Sequence, residues 1–225
     1  MMMIKNPQAV LFDLDGTLVD TAPDFVRIVN ALRAQHQLAP LPYDDIRAAV
    51  SAGARAMIKV GFPHYELESP EFLALRQQLL DDYYGDICQD SRVFEGLDGL
   101  LTQFENKQIP WGIVTNKPRH LSEALLSALN LTERCAVLVC PDDVKNTKPD
   151  PEPMYLACKK LAVDCQKTIY IGDHIRDIQA GKNAKMTTIA VGFGYIVDGE
   201  KIEDWQADYS VQTVDELMNL FRLGL

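Results

Sequence analysis

The sequence is short of positive charge: 22 lysines and arginines stand against 32 aspartates and glutamates, a formal net charge of -10. A general electrostatic pull on nucleic acid or on an anionic membrane surface is thereby disfavoured, and any anion has to be captured locally. Long apolar runs are missing as well. No stretch approaches the roughly 20 consecutive apolar residues of a membrane-spanning helix, and the opening MMMIKNPQ lacks the apolar run of a secretory signal. A cytoplasmic protein with no nucleic-acid or membrane partner is expected. The cysteines, Cys88, Cys135, Cys140, Cys158 and Cys165, are odd in number, include no CxxC pair and mostly sit in apolar segments, so reduced thiols are expected. His36, His64, His120 and His174 form no HExxH-like cluster, which leaves a zinc site without support. Gly192 and Gly194 in VGFGY are followed by Val197 where a dinucleotide fingerprint needs its third glycine, so no nucleotide cofactor is indicated.

Hydrophobic residues make up 47% of the 225, enough to bury a full core. Short apolar runs at 9–12 (AVLF), 111–115 (WGIVT), 136–140 (AVLVC), 168–172 (TIYIG) and 187–191 (TTIAV) read as strands buried on both faces, as in a parallel sheet. Helical patterns lie between them. In RHLSEALLSALN, Leu121, Ala124, Leu125, Ala128 and Leu129 recur at the spacing of one helix face. This alternation predicts an α/β fold with a doubly wound parallel sheet, which binds ligands beyond the carboxyl ends of its strands.

Behind the first strand come about 75 residues without a comparable strand run. They read as four helices: PDFVRIVNALRAQHQ, YDDIRAAV, ARAMIKVGF and SPEFLALRQQLLDDYYGD. The expected organisation is a catalytic core of residues 1–18 and 92–225 with an inserted all-helical cap at 19–91. Leaving the sheet at its carboxyl end, the insertion would hang over the site, with plausible hinges at 21–23 and 93–99.

The first strand runs into DLDGTLVD, which puts Asp13 and Asp15 two residues apart, on one face if the segment is extended. Alone, the pair reads equally well as a polar turn. Other strand ends add Thr115 and Asn116 (WGIVTNK), Lys148 (NTKPDPEP), and Asp173 and Asp177 (TIYIGDHIRD), so four polar clusters converge on one sheet edge. Singly, Thr115 is an ordinary strand residue and Lys148 an ordinary loop lysine. Four acids packed together need a cation, and all-oxygen ligation suits Mg²⁺. His174 follows Asp173, where a structural role is expected.

The ordered set DLDGTLVD, VTNK, TKPDP and GDHIRD resembles the haloacid dehalogenase superfamily over nearly the whole chain. The resemblance implies Asp13 as nucleophile, forming an aspartyl-phosphate, and Asp15 as general acid and base. It implies phosphate binding by Thr115 and Lys148, with Asn116 assisting. It also implies Mg²⁺ held by Asp13, the main-chain carbonyl of Asp15 and Asp173, with Asp177 orienting that shell. Retention of Asp15 points away from dehalogenation. A sugar-phosphate mutase would share all four motifs, and a receiver-like signalling domain differs in lacking the second acid and the cap. The cap type resembles phosphoglycolate phosphatases. SAGARAM, VTNKP, AVLVCPD, KPDPEP and GYI further resemble the phosphatases that act on N-acetylmuramic acid 6-phosphate in peptidoglycan recycling. A small phosphorylated metabolite, a sugar phosphate, is the expected substrate and a monomer the expected state. Arg55, beside Ser51, Gly53 and Ala54 at a loop-to-helix start, is the expected substrate contact in the cap, or else an ordinary surface arginine.

Overall fold

A computed structural model describes residues 7–221. The core strands are β1 (Ala9–Phe12), β4 (Trp111–Val114), β5 (Val137–Val139), β6 (Thr168–Gly172), β7 (Thr187–Val191) and β8 (Tyr209–Val211). They form a parallel sheet in the order β5-β4-β1-β6-β7-β8. Helices α5 (Leu97–Asn106), α6 (Arg119–Ala128), α7 (Glu152–Leu161), α8 (Ile175–Asn183) and α9 (Val214–Leu220) flank it. Strand β1 explains why its run is apolar throughout. Val10 and Phe12 pack with Leu97, Leu101 and Leu217, whereas Leu11 packs on the opposite face with Met154, Ala157 and Tyr170. Both faces are covered, so the alternation of a half-exposed strand is absent.

The strand order reverses about β1, whose neighbours are β4 and β6, so the carboxyl ends of these three strands share one crevice. The fold expectation is met, with two additions. β8 went unread because Tyr209–Val211 is a three-residue edge strand without an apolar run. Val19–Asp20 (β2) and Arg92–Val93 (β3) form a two-residue antiparallel ribbon, too short to leave a pattern. In α6 the buried face is Leu121, Ser122, Leu125 and Leu126; Ala128 is exposed, so the face is rotated from the expected one. Ser122 fits inside because its hydroxyl donates to the Pro118 carbonyl.

Between β2 and β3 lie α1 (Ala22–Gln35), α2 (Tyr43–Val50), α3 (Ala54–Gly61) and α4 (Pro70–Gly85). Ser69 and Pro70 start α4: the Ser69 hydroxyl accepts from the Phe72 N–H at 3.2 Å, and proline occupies the first turn, where its missing N–H costs nothing. The four helices bury a cluster of their own around Phe25, Leu32, Ile46, Phe62, Phe72 and Tyr83, which meets the core at Leu121 and Tyr195. Each such side chain contributes about 2 kcal/mol by leaving water.

Asp24 ties the insertion's first helix to its last connection. Its buried carboxylate accepts from the Asp90 N–H (3.1 Å), the Ser91 N–H (2.9 Å), the Ser91 hydroxyl (2.5 Å) and Arg27 (2.9 Å). Burial alone would raise its pKa, but these donors outweigh burial and hold it below the usual 3.8. Asp24→Ala is expected to cost about 3 kcal/mol at pH 7, read from denaturant midpoints. The folded carboxyl titrates below its unfolded value of about 3.9, so this stability is complete well above that value and is lost as pH falls through the folded pKa. The gap between wild type and variant should therefore narrow below about pH 4. A gap that stays constant to pH 3 would contradict this account.

Candidate active site

Asp13 is the first residue beyond β1, and its N–H still donates to the Ile171 carbonyl of β6 at 2.9 Å, so its side chain stands at the crevice in strand register. It is 4% exposed. Burial pushes its pKa up, but the charges of Lys148 and Arg176, with hydrogen bonds from Lys148 and the Leu14 N–H, more than reverse this and hold it below 3.8. Asp13 is thus a buried carboxylate kept anionic.

Lys148 is the reason. Its ammonium lies 2.9 Å from Asp13 and 2.7 Å from Asp177, and donates to the Val114 carbonyl at 3.0 Å. The Tyr170 hydroxyl lies 2.8 Å from the same ammonium. Asn116 pins the lysine's loop by donating to the Lys148 carbonyl at 3.1 Å. Thr115 is held in register by its N–H to the Val139 carbonyl, and its hydroxyl accepts from the Lys117 N–H at 3.2 Å.

Carboxylate oxygens of Asp13, Asp173 and Asp177 lie within 4.8 Å of one another. Burial and then the charges of Asp13 and Asp177 push Asp173 up to about 7, although Ser51 and the Tyr195 N–H donate to it. Burial and Asp13 raise Asp177 as well, against the pull of Lys148. The Lys148 ammonium is paired with Asp13 and Asp177 but not with Asp173, so the cluster stays short of positive charge. A hard divalent cation would supply it, and the donors are all oxygen, so the residues fit such an ion. Sequence reasoning expected the Asp13 and Asp173 carboxylates and the main-chain carbonyl of Asp15 around the ion, with Asp177 orienting that shell; the three carboxylates that lie together are those of Asp13, Asp173 and Asp177, and the Asp15 side chain has other partners. The Asp15 carboxylate accepts from Thr21 Oγ1 at 2.7 Å and from Lys117 Nζ at 2.8 Å.

Several participants were missed. Lys117 is buried, sits over the rings of Phe25 and Tyr83, and donates to the Tyr83 hydroxyl at 3.1 Å, so a core lysine joins Asp15 to the insertion. The Arg176 guanidinium donates to the Ser51 carbonyl. Ser51, read as a possible recognition group, instead donates its hydroxyl to Asp173 at 2.6 Å. Tyr195 clamps the stem: its hydroxyl accepts from the N–H groups of Thr21 (2.6 Å) and Ala22 (2.8 Å) and donates to Asp20 (2.7 Å). His174 caps α8, accepting from the Arg176 N–H at 3.2 Å, and burial lowers its pKa to about 4, so a neutral structural imidazole is what stands there. Arg55 lies on the site's rim, more than half exposed and 2.7 Å from Glu68.

A cavity of about 380 Å³ lies between crevice and insertion, lined by Asp13, Asp15, Thr115 and Asn116 from below and by Phe25, Met57, Arg76 and Leu80 from above. That volume suits a small metabolite. A buried carboxylate kept anionic beside ammonium and guanidinium groups that can share the charge of an incoming anion is equipped for attack on a phosphoryl centre, the work of a hydrolase. The chain belongs to the haloacid dehalogenase-like hydrolase family, whose model matches residues 10–191. It is 45% identical over 218 residues to the N-acetylmuramic acid 6-phosphate phosphatase of Pseudomonas aeruginosa, covering 97% of this chain and 96% of that one. It is 37% identical over 214 residues to the phosphoglycolate phosphatase of Xanthomonas campestris, covering 95% and 96%. A crystal structure of a predicted phosphoglycolate phosphatase from Haemophilus somnus shares the fold, with a TM-score of 0.83 at 22% identity over 95% of this chain and 97% of that one. The enzyme class is that of a phosphatase. No helix among the described residues is long and apolar enough to cross a membrane.

Gly194 tests how tightly the cluster is held. A Cβ there would stand 2.5 Å from the Gly16 carbonyl oxygen and closer still to Asp173 Cβ. Gly194→Ala should displace Asp173 and lower kcat/KM about a hundredfold with the far-UV circular dichroism retained. Wild-type kinetics in a folded variant would show that Asp173 has room to move.

Proposed function

We propose that the chain is a Mg²⁺-dependent phosphomonoesterase that works through an aspartyl-phosphate on N-acetylmuramic acid 6-phosphate, in the recycling of peptidoglycan. The buried, anionic Asp13 facing the covered cavity carries the mechanistic reading. The nearly full-length similarity to a phosphatase of that sugar phosphate supports the substrate. A second reading, 2-phosphoglycolate, has its support in the phosphoglycolate phosphatase relatives.

An Asp13 carboxylate oxygen attacks phosphorus, and the bond to the leaving sugar oxygen breaks as Asp15 gives that oxygen its proton. Asp15, now a carboxylate, takes a proton from water. The water oxygen attacks the same phosphorus, the bond to Asp13 breaks, and phosphate leaves. Lys117 and Thr21 hold Asp15 in place. Thr115 and Lys148 bind the transferring phosphoryl group, with Asn116 fixing the Lys148 loop. Asp13, Asp173 and the main-chain carbonyl of Asp15 would hold Mg²⁺, with Asp177 orienting that shell and anchoring Lys148. The ion supplies charge neutralisation between carboxylate and phosphate oxygens.

Phosphate release from N-acetylmuramic acid 6-phosphate and from 2-phosphoglycolate should favour the sugar phosphate at least about tenfold in kcat/KM. Asp13→Asn should retain the fold and less than about one thousandth of the activity. Preference for phosphoglycolate would establish the second reading, and turnover by Asp13→Asn would refute the nucleophile. In calorimetric titration of the free protein, Asp173→Asn should weaken Mg²⁺ binding at least about tenfold. Equal affinity would remove Asp173 from the ion's shell.

A further inference from the structure

The cavity holds one cation more than the phosphoryl chemistry employs. Lys148 is committed to Asp13 and Asp177, Lys117 to Asp15, and the Arg176 guanidinium to the Ser51 carbonyl. On the rim, Arg55 is paired with Glu68. Arg76 of α4 lines the same cavity: its Nε, like that of Arg176, is buried without a hydrogen-bond partner, but among the described residues Arg76, unlike Arg176, makes no side-chain hydrogen bond or ion pair at all.

Its own helix offers no remedy. The positions within side-chain reach, Phe72, Leu73, Leu79 and Leu80, are all apolar. Leu80, Met57 and Phe25 line the cavity wall with it. A guanidinium among apolar walls with an unmet buried donor is costly, and the cost is recovered when a ligand brings an acceptor. A guanidinium donates two parallel hydrogen bonds to a planar two-oxygen anion, whose geometry it matches. The phosphoryl group is already provided for at the strand ends, on the opposite side of the cavity.

We propose that Arg76 binds a carboxylate carried by the substrate, so that the site selects phosphomonoesters of carboxylic acids. This rests on the phosphatase reading and deepens it. N-acetylmuramic acid 6-phosphate meets the requirement through its lactyl carboxylate, and 2-phosphoglycolate through its own. N-acetylglucosamine 6-phosphate, the same sugar phosphate without the lactyl ether, does not.

The test measures kcat/KM for these three compounds with wild type, Arg76→Met and Arg76→Lys. The same pairwise comparison is made by calorimetric binding to proteins that also carry Asp13→Asn. In Arg76→Met the preference for N-acetylmuramic acid 6-phosphate over N-acetylglucosamine 6-phosphate should fall at least about thirtyfold, through KM, with partial rescue by Arg76→Lys. The melting temperature should hold or rise, since an unmet buried donor is removed. Equal losses for both sugars, or no loss for either, would overturn the assignment. A wild type that prefers phosphoglycolate, with that preference lost in Arg76→Met, would overturn the sugar substrate and uphold Arg76. Wild type that hydrolyses none of the three overturns both substrate readings, and binding selectivity that survives Arg76→Met then overturns this one.

Discussion

Three carboxylates crowded within 4.8 Å at the carboxyl edge of the sheet are the constraint around which the molecule is arranged. Buried charges of one sign repel and lose their hydration, so the surrounding residues serve to keep Asp13 ionised. Lys148 lies between Asp13 and Asp177 for that purpose, held in turn by a strand carbonyl, a tyrosine hydroxyl and the Asn116 anchor. The backbone makes room for the cluster. Gly16, at φ +82°, turns the chain after Asp15, and any Cβ at Gly16, Gly172 or Gly194 would strike Asp173 or Asp177.

The insertion is held to this cluster by polar contacts reaching the chemistry itself. Ser51 donates to Asp173, Arg176 reaches the Ser51 carbonyl, and Lys117 links Asp15 to Tyr83. Arg47 donates to the Phe193 carbonyl at 3.0 Å and lies over the Tyr195 ring. Each contact joins a residue of the four helices to a residue of the sheet edge or its loops. The geometry of Asp15 and Asp173 therefore depends on the position of the helices above them. Meanwhile the helices' own apolar cluster, around Phe25, Phe62 and Tyr83, holds that surface in shape.

Legibility in the sequence followed the range of the interaction. The long core strands and the four helices of the insertion were readable because apolar periodicity is local. Ser69 and Pro70, likewise, mark the start of α4 within a few residues of chain. The acids Asp13, Asp15, Asp173 and Asp177 and the cation Lys148 could be gathered because a parallel sheet brings its carboxyl ends together. Short pairings such as β2 with β3 left no pattern, and neither did the rotation of α6 that buried Ser122. Arg55, singled out from its place at a helix start, does line the cavity, at its rim, where its guanidinium pairs with Glu68.

The sequence by itself determined the sheet, the helical insertion and the carboxylates at the strand ends, since these follow from periodicity and from a topology that the run order dictates. Only the tertiary structure decided which charges are paired. Lys117 meets Asp15 across 102 residues, Ser51 meets Asp173 across 122, and Arg76 is left with an unmet donor inside the cavity. Pairing falls off over a few ångströms, and no pattern in the chain records which distant side chains will stand that close.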